Sequence, residues 1–258
     1  MPTRSREGAP LTSDERAAWR DGLAVAITTG AYGISFGALA VAAGLDLWQA
    51  CVMSLLMFTG GSQFAFIGVI AAGGVAAAPS AVASAVLLGT RNAAYAARMN
   101  PIVGTSWARR ITAVQFTIDE STAVALARTR PRAQRIGFWV TGIGIYVGWN
   151  LTTLAGALLG DLLGDVRAYG LDAAAAAAFL ALLWPRLRSR EAITVGIAAA
   201  VVATSLTPVL TPGVPVLIAG VVAFLVGWPD WRGRNREQPT AEQQGTYEQG
   251  TYEQEKGR

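Results

Sequence analysis

The sequence predicts an all-α membrane protein whose helices cross the bilayer several times. Hydrophobic residues make up 52% of the chain and charged residues only 15%, whereas about a quarter of the residues in soluble domains are charged. The charges also leave long gaps, since 44 uncharged residues separate Asp46 from Arg91 and 38 separate Glu191 from Asp230. A membrane-crossing helix needs about 20 mostly apolar residues, so these gaps accommodate several crossings.

The apolar residues fall into eight segments separated by polar or charged connections. These segments are 22–43, 48–72, 77–97, 111–127, 136–160, 168–185, 192–208 and 213–228. Two of them look weak as ordinary crossings, because 48–72 is interrupted by Gly-Gly-Ser-Gln at 60–63 and 111–127 is short and contains Asp119 and Glu120. Broken or re-entrant helices are tolerated where they line a cavity. We therefore predict six to eight spans, two of them broken or re-entrant.

Arginine clusters between the segments indicate the orientation. If all eight segments cross and the amino terminus is cytoplasmic, most clusters face the cytoplasm, but Arg98, Arg109 and Arg110 face outward against the usual bias. If instead 48–72 enters and leaves on the outer side and 111–127 dips in without crossing, every cluster becomes cytoplasmic. Both termini are cytoplasmic in either arrangement.

Composition divides the chain into three regions. Residues 1–21 are polar and are predicted to form a cytoplasmic amino-terminal segment, and residues 22–228 form the membrane domain. Residues 229–258 are predicted to be a disordered cytoplasmic tail, because they offer almost nothing to bury. This tail contains the pentapeptide GTYEQ twice in tandem, which is typical of low-complexity sequence.

The same composition excludes several functional classes. The chain has no histidine, which excludes Ser-His and Cys-His hydrolases and histidine-ligated metal sites. It has a single cysteine and no Walker-type phosphate loop. Its pI is near 9.6, but the net charge is only +4 and the arginines lie at the ends of apolar spans, which does not indicate a nucleic-acid partner. No residue pattern indicates a cofactor or a metal.

The first candidate binding site is the set Gly60, Gly61, Ser62 and Gln63 within an uncharged segment. Paired glycines permit a helix break, which frees backbone groups, and a helix amino terminus exposed in this way suits a carboxylate. Gln63 adds two donors and an acceptor where lipid offers none. The alternative is tight helix packing through small residues, with Ser62 and Gln63 bonded to a neighbouring helix.

The second candidate lies near the end of the third apolar segment and contains Arg91, Asn92 and Tyr95. An arginine that follows so long an uncharged stretch is suited to clamp a carboxylate through two hydrogen bonds. The alternative is that Arg91 anchors the helix by extending its side chain to the membrane interface.

The third candidate is the adjacent acid pair Asp119 and Glu120, which has apolar residues on both sides. Burying two neighbouring carboxylates is costly, so one of them is suited to take up and release a proton. Helix capping, or ion pairs with Arg109 or Arg110, would also explain these acids.

Several of these elements occur together in one order. They are Gly33-Ile34-Ser35-Phe36-Gly37, the stretch from Met53 to Phe64, Arg91 with Tyr95, Asp119-Glu120, and Gly170-Leu171-Asp172 leading to Phe179-Leu180. On them, the chain from about Gly22 to Val226 resembles the AzlC family, the large subunit of bacterial branched-chain amino acid exporters. Beside the arginine this family tends to have asparagine and histidine, where the chain has Gly89 and Asn92.

The resemblance implies that the protein is not an enzyme. It implies export of branched-chain or related hydrophobic amino acids across the cytoplasmic membrane, driven by the proton gradient and dependent on a small AzlD-like membrane subunit. Substrate would bind at the glycine–glutamine segment with help from Arg91, and Asp119 or Glu120 would carry the proton. A passive small-solute channel or a non-transporting scaffold is the alternative, and an intramembrane enzyme is a weaker one.

Overall fold

A computed structural model describes residues 10–163, 180, 183–184 and 187–234. The helices of this part are α1 (Ser13–Ala31), α2 (Gly33–Ala42), α3 (Leu47–Leu56), α4 (Gly60–Gly73), α5 (Ala78–Val103), α6 (Trp107–Phe116), α7 (Asp119–Leu126), α8 (Pro131–Leu163), α9 (Arg190–Leu206) and α10 (Val214–Arg234). A short 3-10 turn (Val75–Ala77) precedes α5, and no strand occurs among these residues. The predicted all-α class is confirmed.

The predicted apolar segments correspond to single helices or to pairs of helices. Segment 22–43 corresponds to α1 and α2, 48–72 to α3 and α4, and 111–127 to α6 and α7, while 168–185 lies almost entirely outside the described residues. Two helical stretches, Ser13–Ala42 and Pro131–Leu162, are long and apolar enough to cross a membrane. The total of six to eight spans stays a prediction.

Side-chain caps explain where two of the helices begin. At the start of α1, Glu15 N donates to Thr12 Oγ1 (3.3 Å) and Thr12 N donates to Glu15 Oε2 (2.8 Å). At the start of α3, Asp46 and Gln49 exchange the same two bonds at 2.7 and 3.0 Å. Each reciprocal pair satisfies two amides that the helix itself leaves without acceptors.

Helices α1 and α2 run parallel to α8 and pack closely against it. A Cβ atom at Gly22 would lie 3.0 Å from Thr141 Oγ1, and one at Gly30 would lie 3.3 Å from the Cα atom of Gly148. Thr152 Oγ1 donates to the carbonyl of Gly30 (2.6 Å). Residue numbers therefore increase in the same direction along α1 and α2 as along α8. We call the end where α1 and α8 begin the lower end, and the opposite end the upper end.

Replacing Gly37 by alanine is expected to destabilise this packing. A Cβ atom there would overlap the carbonyl oxygen of Thr153 and lie 2.7 Å from the backbone nitrogen of Ala157. Overpacking of this kind costs about 1–3 kcal/mol, which corresponds to a fall of several degrees in the thermal unfolding midpoint in detergent. The control is Gly227→Ala, where a Cβ atom would approach only Val195 Cγ2, at 3.9 Å. Equal midpoints would contradict the expectation.

Helices α3 and α4 form a hairpin that enters from the upper end, which we call the upper hairpin. Going down α3, Ser54 Oγ donates to Thr153 Oγ1 (3.3 Å) in the upper half of α8. Going back up α4, Val69 and Ile70 pack in one cluster with Ala43 and Leu45, just after the end of α2. The tip of this hairpin, residues 57–59, therefore lies near the middle of α8.

Helix α5 runs antiparallel to α4 and reaches from the upper end to the lower end. Ala81 packs with Val69 and Ile70 near the top. Met99 and Val103 pack with Phe138, near the start of α8.

Helices α6 and α7 form a second hairpin, which enters from the lower end and which we call the lower hairpin. Arg135 Nε donates to the carbonyl of Ile102 (2.8 Å), which places the start of this hairpin near the start of α8. Phe116 at its top touches Gly142, and Val124 on the way down touches Gly137. The two segments predicted to be weak spans are therefore both broken helices, and their tips point toward each other.

Acidic residues of α1 pair with arginines beside the start of α8 at the lower end. Arg128 Nη2 lies 2.9 Å from Asp21 Oδ2, and Arg132 Nε lies 3.2 Å from Glu15 Oε1. The charges flanking α1 and α8 are thus neutralised at a common end.

Helices α9 and α10 belong to a second compact unit, made of Leu183–Leu210 and the chain from Val214 onward. Within it, α10 continues to Arg234, six residues beyond the predicted end of the membrane domain at 228. The division at 21 and 228 stays a prediction, and residues 235–258, with the GTYEQ repeat, lie outside the described residues.

Candidate functional site

The upper tip is a break in the helix that exposes carbonyl groups. Helical geometry is lost at Met57 (φ −96°, ψ 62°) and Thr59 (φ −159°, ψ 95°). The break therefore precedes the glycine pair instead of falling on residues 60–63 as predicted, and Gly60 and Gly61 form the first turn of α4. Because the last carbonyls of a helix have no intrahelical donor, the end of α3 offers acceptors at mid-height.

The lower tip, residues 117–118, separates α6 from α7. Thr117 (φ −85°, ψ 95°) and Ile118 (φ −126°, ψ 171°) are extended, and α7 begins at Asp119. Ser121 Oγ donates to the carbonyl of Phe116 (2.7 Å) and accepts from Ile118 N (3.1 Å). This hydroxyl satisfies groups on both sides of the break and so holds its shape.

The two tips meet on α8 around Tyr146. The rings of Phe58 and Phe116 contact the Tyr146 ring nearly edge-on, with centroids 4.9 and 5.4 Å away. Gln115 Nε2 (2.9 Å) and Tyr146 Oη (3.3 Å) both donate to the carbonyl of Leu55, near the end of α3. The lower hairpin and α8 thus supply donors for a carbonyl that the upper break exposes.

Arg91 of α5 joins the two hairpins. Its Nη1 atom lies 3.4 Å from Asp119 Oδ2, and its Nη2 atom lies 3.1 Å from where a Cβ atom of Gly61 would be. The guanidinium group therefore rests against the first turn of α4 while it pairs with the first residue of α7. The side chains of Arg91 and Asp119 are 30% and 29% exposed, so a solute can reach them.

The contacts place Arg91 among the hairpin tips, near the middle of α5. Whether it binds a carboxylate or anchors the helix stays a prediction. The ion pair of Asp119 is with Arg91, which was not among the predicted partners. Arg110, which was, donates through Nε to the carbonyl of Gly104 (3.2 Å).

Glu120 lies beside this ion pair. It is half-buried, and its carboxyl group interacts electrostatically with the Asp119 carboxylate and the Arg91 guanidinium group. Two neighbouring carboxylates repel each other, and the positive charge of Arg91 offsets part of that repulsion. The role of the acid pair in carrying a proton stays a prediction.

Gln63 is fully buried on another face of α4. Its Nε2 atom donates to the carbonyl of Ser54 (3.4 Å), and Oε1 has no hydrogen-bond donor among the described residues. Trp149 lies nearby, with its ring 3.1 Å from where a Cβ atom of Gly60 would be. The structure therefore divides the predicted substrate-binding residues into one group around Gly61 and Arg91 and another around Gln63.

The other three predicted residues lie next to these groups. Ser62 is buried, accepts from Thr59 Oγ1 at a long 3.5 Å, and faces Gly89 of α5. Asn92 adjoins Arg91, and its Oδ1 atom is buried without a donor in the described part of the chain. Tyr95 is half-buried one helical turn after Arg91 and so shares its helix face.

Sequence reasoning missed the contribution of α8. Trp149 is buried, its ring lies parallel to that of Phe36 at 6.2 Å, and its Nε1 atom lacks an acceptor among the described residues. Tyr146, Trp149 and Asn150 follow one another at helical spacing within an apolar run. That pattern was the available signal, because polar groups on one face of an apolar helix need partners.

A pocket of about 230 Å³ lies between α5 and α6. It is lined mainly by apolar side chains, with polar groups from Asn100, Arg110 and Thr117. Thr117 belongs to the lower tip, so the pocket adjoins the place where the hairpins meet. Within the described ranges, no cluster of three or more acidic or cysteine side chains could hold a metal ion.

Broken helices whose ends meet around charged groups at mid-height are characteristic of membrane transport proteins. The family model for AzlC protein matches residues 24–163, more than half of the chain, and the protein belongs to the AzlC family, a transport-associated family of membrane proteins. The match covers α8 and both hairpins, while the Gly170–Leu180 elements lie beyond it. No curated protein and no solved structure matches the chain.

Proposed function

We propose that the protein is the large subunit of an exporter for branched-chain or related hydrophobic amino acids. The observation that carries this proposal is the position of Arg91, which contacts the first turn of α4 and pairs with Asp119 at the start of α7. A zwitterionic substrate needs charged groups of both signs at mid-membrane, and these two residues offer them side by side.

The substrate carboxylate would bind Arg91 and the first turn of α4. The amides of Gly60, Gly61 and Ser62 open α4 and therefore have no intrahelical acceptor. The side chain of Thr59, which precedes them, does not cap the helix. The partial positive charge of this helix end adds to that of the guanidinium group. Gly61 lets the guanidinium group approach the backbone, since a Cβ atom would crowd Nη2.

The substrate ammonium group would bind acidic or carbonyl oxygens. Asp119 is the charged acceptor that contacts Arg91, and the carbonyl groups at the end of α3 are neutral acceptors. The apolar side chain of the substrate needs only an apolar surface, which the aromatic residues around the tips provide.

The proton would be carried by Asp119 and Glu120. A substrate carboxylate on Arg91 would compete with Asp119 for the guanidinium group, so binding of the substrate would change the electrostatic surroundings of the acid pair. Binding of substrate and binding of a proton are thereby linked, which is what coupling to the proton gradient requires.

The lower end would face the cytoplasm. Arg128 lies just before α8, Arg132 and Arg135 lie in its first two turns, and Arg109 and Arg110 lie in the first turn of α6, so the positive-inside bias supports this orientation. If neither hairpin crosses completely, the chain would have six spans in the cytoplasmic membrane and both termini in the cytoplasm. A small AzlD-like subunit, expected from the resemblance, would complete the exporter.

Cells that accumulate leucine from a dipeptide test this function. Cells producing the chain with its AzlD-like partner should export leucine faster than cells producing either alone. Gln63→Ala should reduce export about tenfold, since it removes a buried polar group worth about 1–2 kcal/mol. Gln49→Ala, which removes a similar bond at the exposed start of α3, should export normally.

Two results would contradict the proposal. Export equal to that of empty cells, with both subunits present in the membrane, would exclude hydrophobic amino acids as substrates. Flux that follows the leucine gradient at every imposed proton gradient would indicate a passive channel.

A further inference from the structure

Two parts of the chain have the same order of elements and opposite directions. Helix α2 runs upward and is followed by the upper hairpin, whose two ends lie at the upper end. Helix α5 runs downward and is followed by the lower hairpin, whose two ends lie at the lower end. Elements in the same order with opposite directions are the pattern that an inverted repeat has.

The connections into the two hairpins each contain a glycine with a positive φ angle. Gly44 (φ 94°) lies between α2 and α3, and Gly104 (φ 114°) lies between α5 and α6. These positive φ values favour glycine. The half-helices that follow, α3 and α6, are each 10 residues long.

A tryptophan recurs at matching positions of the two parts. Trp48 follows Gly44 by four residues and Trp107 follows Gly104 by three, and these side chains are 75% and 76% exposed. Each tryptophan lies at the start of its hairpin, where the membrane interface favours it.

The same correspondence continues to the tips. A Phe-Thr dipeptide stands at each break, 58–59 in the upper hairpin and 116–117 in the lower one. The two phenylalanine rings contact the same ring, that of Tyr146.

The two parts differ in the packing between the first helix and the first half-helix of the hairpin. The pocket of about 230 Å³ lies between α5 and α6. The corresponding interface, between α2 and α3, is filled by buried Leu39, Ala40 and Ala50, with Leu47 and Met53 packed against them.

We infer that residues 33–73 and 78–126 form an inverted structural repeat, and that the pocket between α5 and α6 is the cytoplasmic binding site through which a hydrophobic amino acid enters. Its apolar walls suit the substrate side chain, and Arg110 and Asn100 suit the carboxylate. In the other state of the transporter the pocket closes and the α2–α3 interface opens, because the two halves exchange conformations. The identity of the solute rests on the proposed function.

A bulky side chain placed in the pocket, which we call a wedge, tests whether the two halves exchange conformations. Ala96 and Ala97 line the pocket, so Ala96→Phe or Ala97→Phe should keep α5 and α6 apart and stop export. The probe is Cys51, the single cysteine, which is half-buried in α3 beside Ala50. Since the wedge disfavours the state in which the α2–α3 interface opens, alkylation of Cys51 by a maleimide in membranes should slow severalfold.

The matched control is Ala94→Phe, an exposed position of α5 away from the pocket, which should leave export and alkylation unchanged. If the wild-type chain exports and Cys51 reacts equally fast in the wedge and control variants, the exchange is overturned while the proposed function stands. If the wedge slows Cys51 alkylation but no hydrophobic amino acid is exported by the wild-type pair, the exchange stands and the proposed function fails. The second wedge keeps the test valid if one variant does not fold.

Discussion

Replacing Arg91 by glutamine is expected to reduce amino acid export about thirtyfold or more. The substitution removes the charge that contacts the first turn of α4 and pairs with Asp119 at 3.4 Å. Losing one member of a partly buried charge pair costs about 2 kcal/mol at the lower end of its range, which corresponds to that factor. Initial export rates from leucine-loaded cells measure the effect.

The control for this substitution is Arg98→Gln. Arg98 is exposed on the same helix, about two turns farther toward the lower end, and its replacement should leave the export rate near that of the wild type. Arg91→Lys should fall between the two, because lysine keeps the charge and loses the forked pair of donors. Equal export by Arg91→Gln and Arg98→Gln, at equal protein levels, would mean that the arginine does not hold the substrate.

Replacing Asp119 by asparagine is expected to separate export from the proton gradient. Asparagine keeps the shape of the side chain and cannot take up a proton, so the link between substrate and proton on Arg91 is lost. In the wild type, lowering the external pH should speed export, because protons enter as the substrate leaves. In Asp119→Asn this pH dependence should disappear, while exchange of labelled for unlabelled leucine across the membrane continues.

Asp46→Asn provides the matched control for the acid. Asp46 caps α3 at the upper end, and asparagine caps a helix about as well as aspartate, so export and its pH dependence should be retained. The corresponding change at Glu120, Glu120→Gln, should weaken the pH dependence as well, since the two neighbouring carboxyl groups interact electrostatically. A wild-type pH response in Asp119→Asn would assign the proton to another group.

The distribution of charge along the chain predicted more of this architecture than any single motif did. Long uncharged stretches indicated membrane helices, and the two segments with Gly-Gly or Asp-Glu in their middle were correctly marked as broken. The arginine bias favoured an arrangement in which both dip in from opposite sides, and the hairpin geometry agrees with it.

The exact position of the first break was not predictable in the same way. Glycines are permissive and do not require a break, and in the folded chain Gly60 and Gly61 continue as helix while residues 57–59 interrupt it. What stabilises the interruption lies far away in sequence, because the carbonyl of Leu55 accepts from Gln115 and from Tyr146.

The amino-acid sequence by itself determined the helical class, the family, the two interrupted segments and the presence of an arginine and an acid pair among apolar residues. These follow from composition and local spacing, which depend on near neighbours in the chain. Only the tertiary structure decided that Arg91 pairs with Asp119, that Gln63 faces away from them toward Ser54, and that the two hairpins meet on Tyr146. Those contacts depend on how the helices are arranged in space, and the periodicity of a single helix carries no information about which distant segment it will meet.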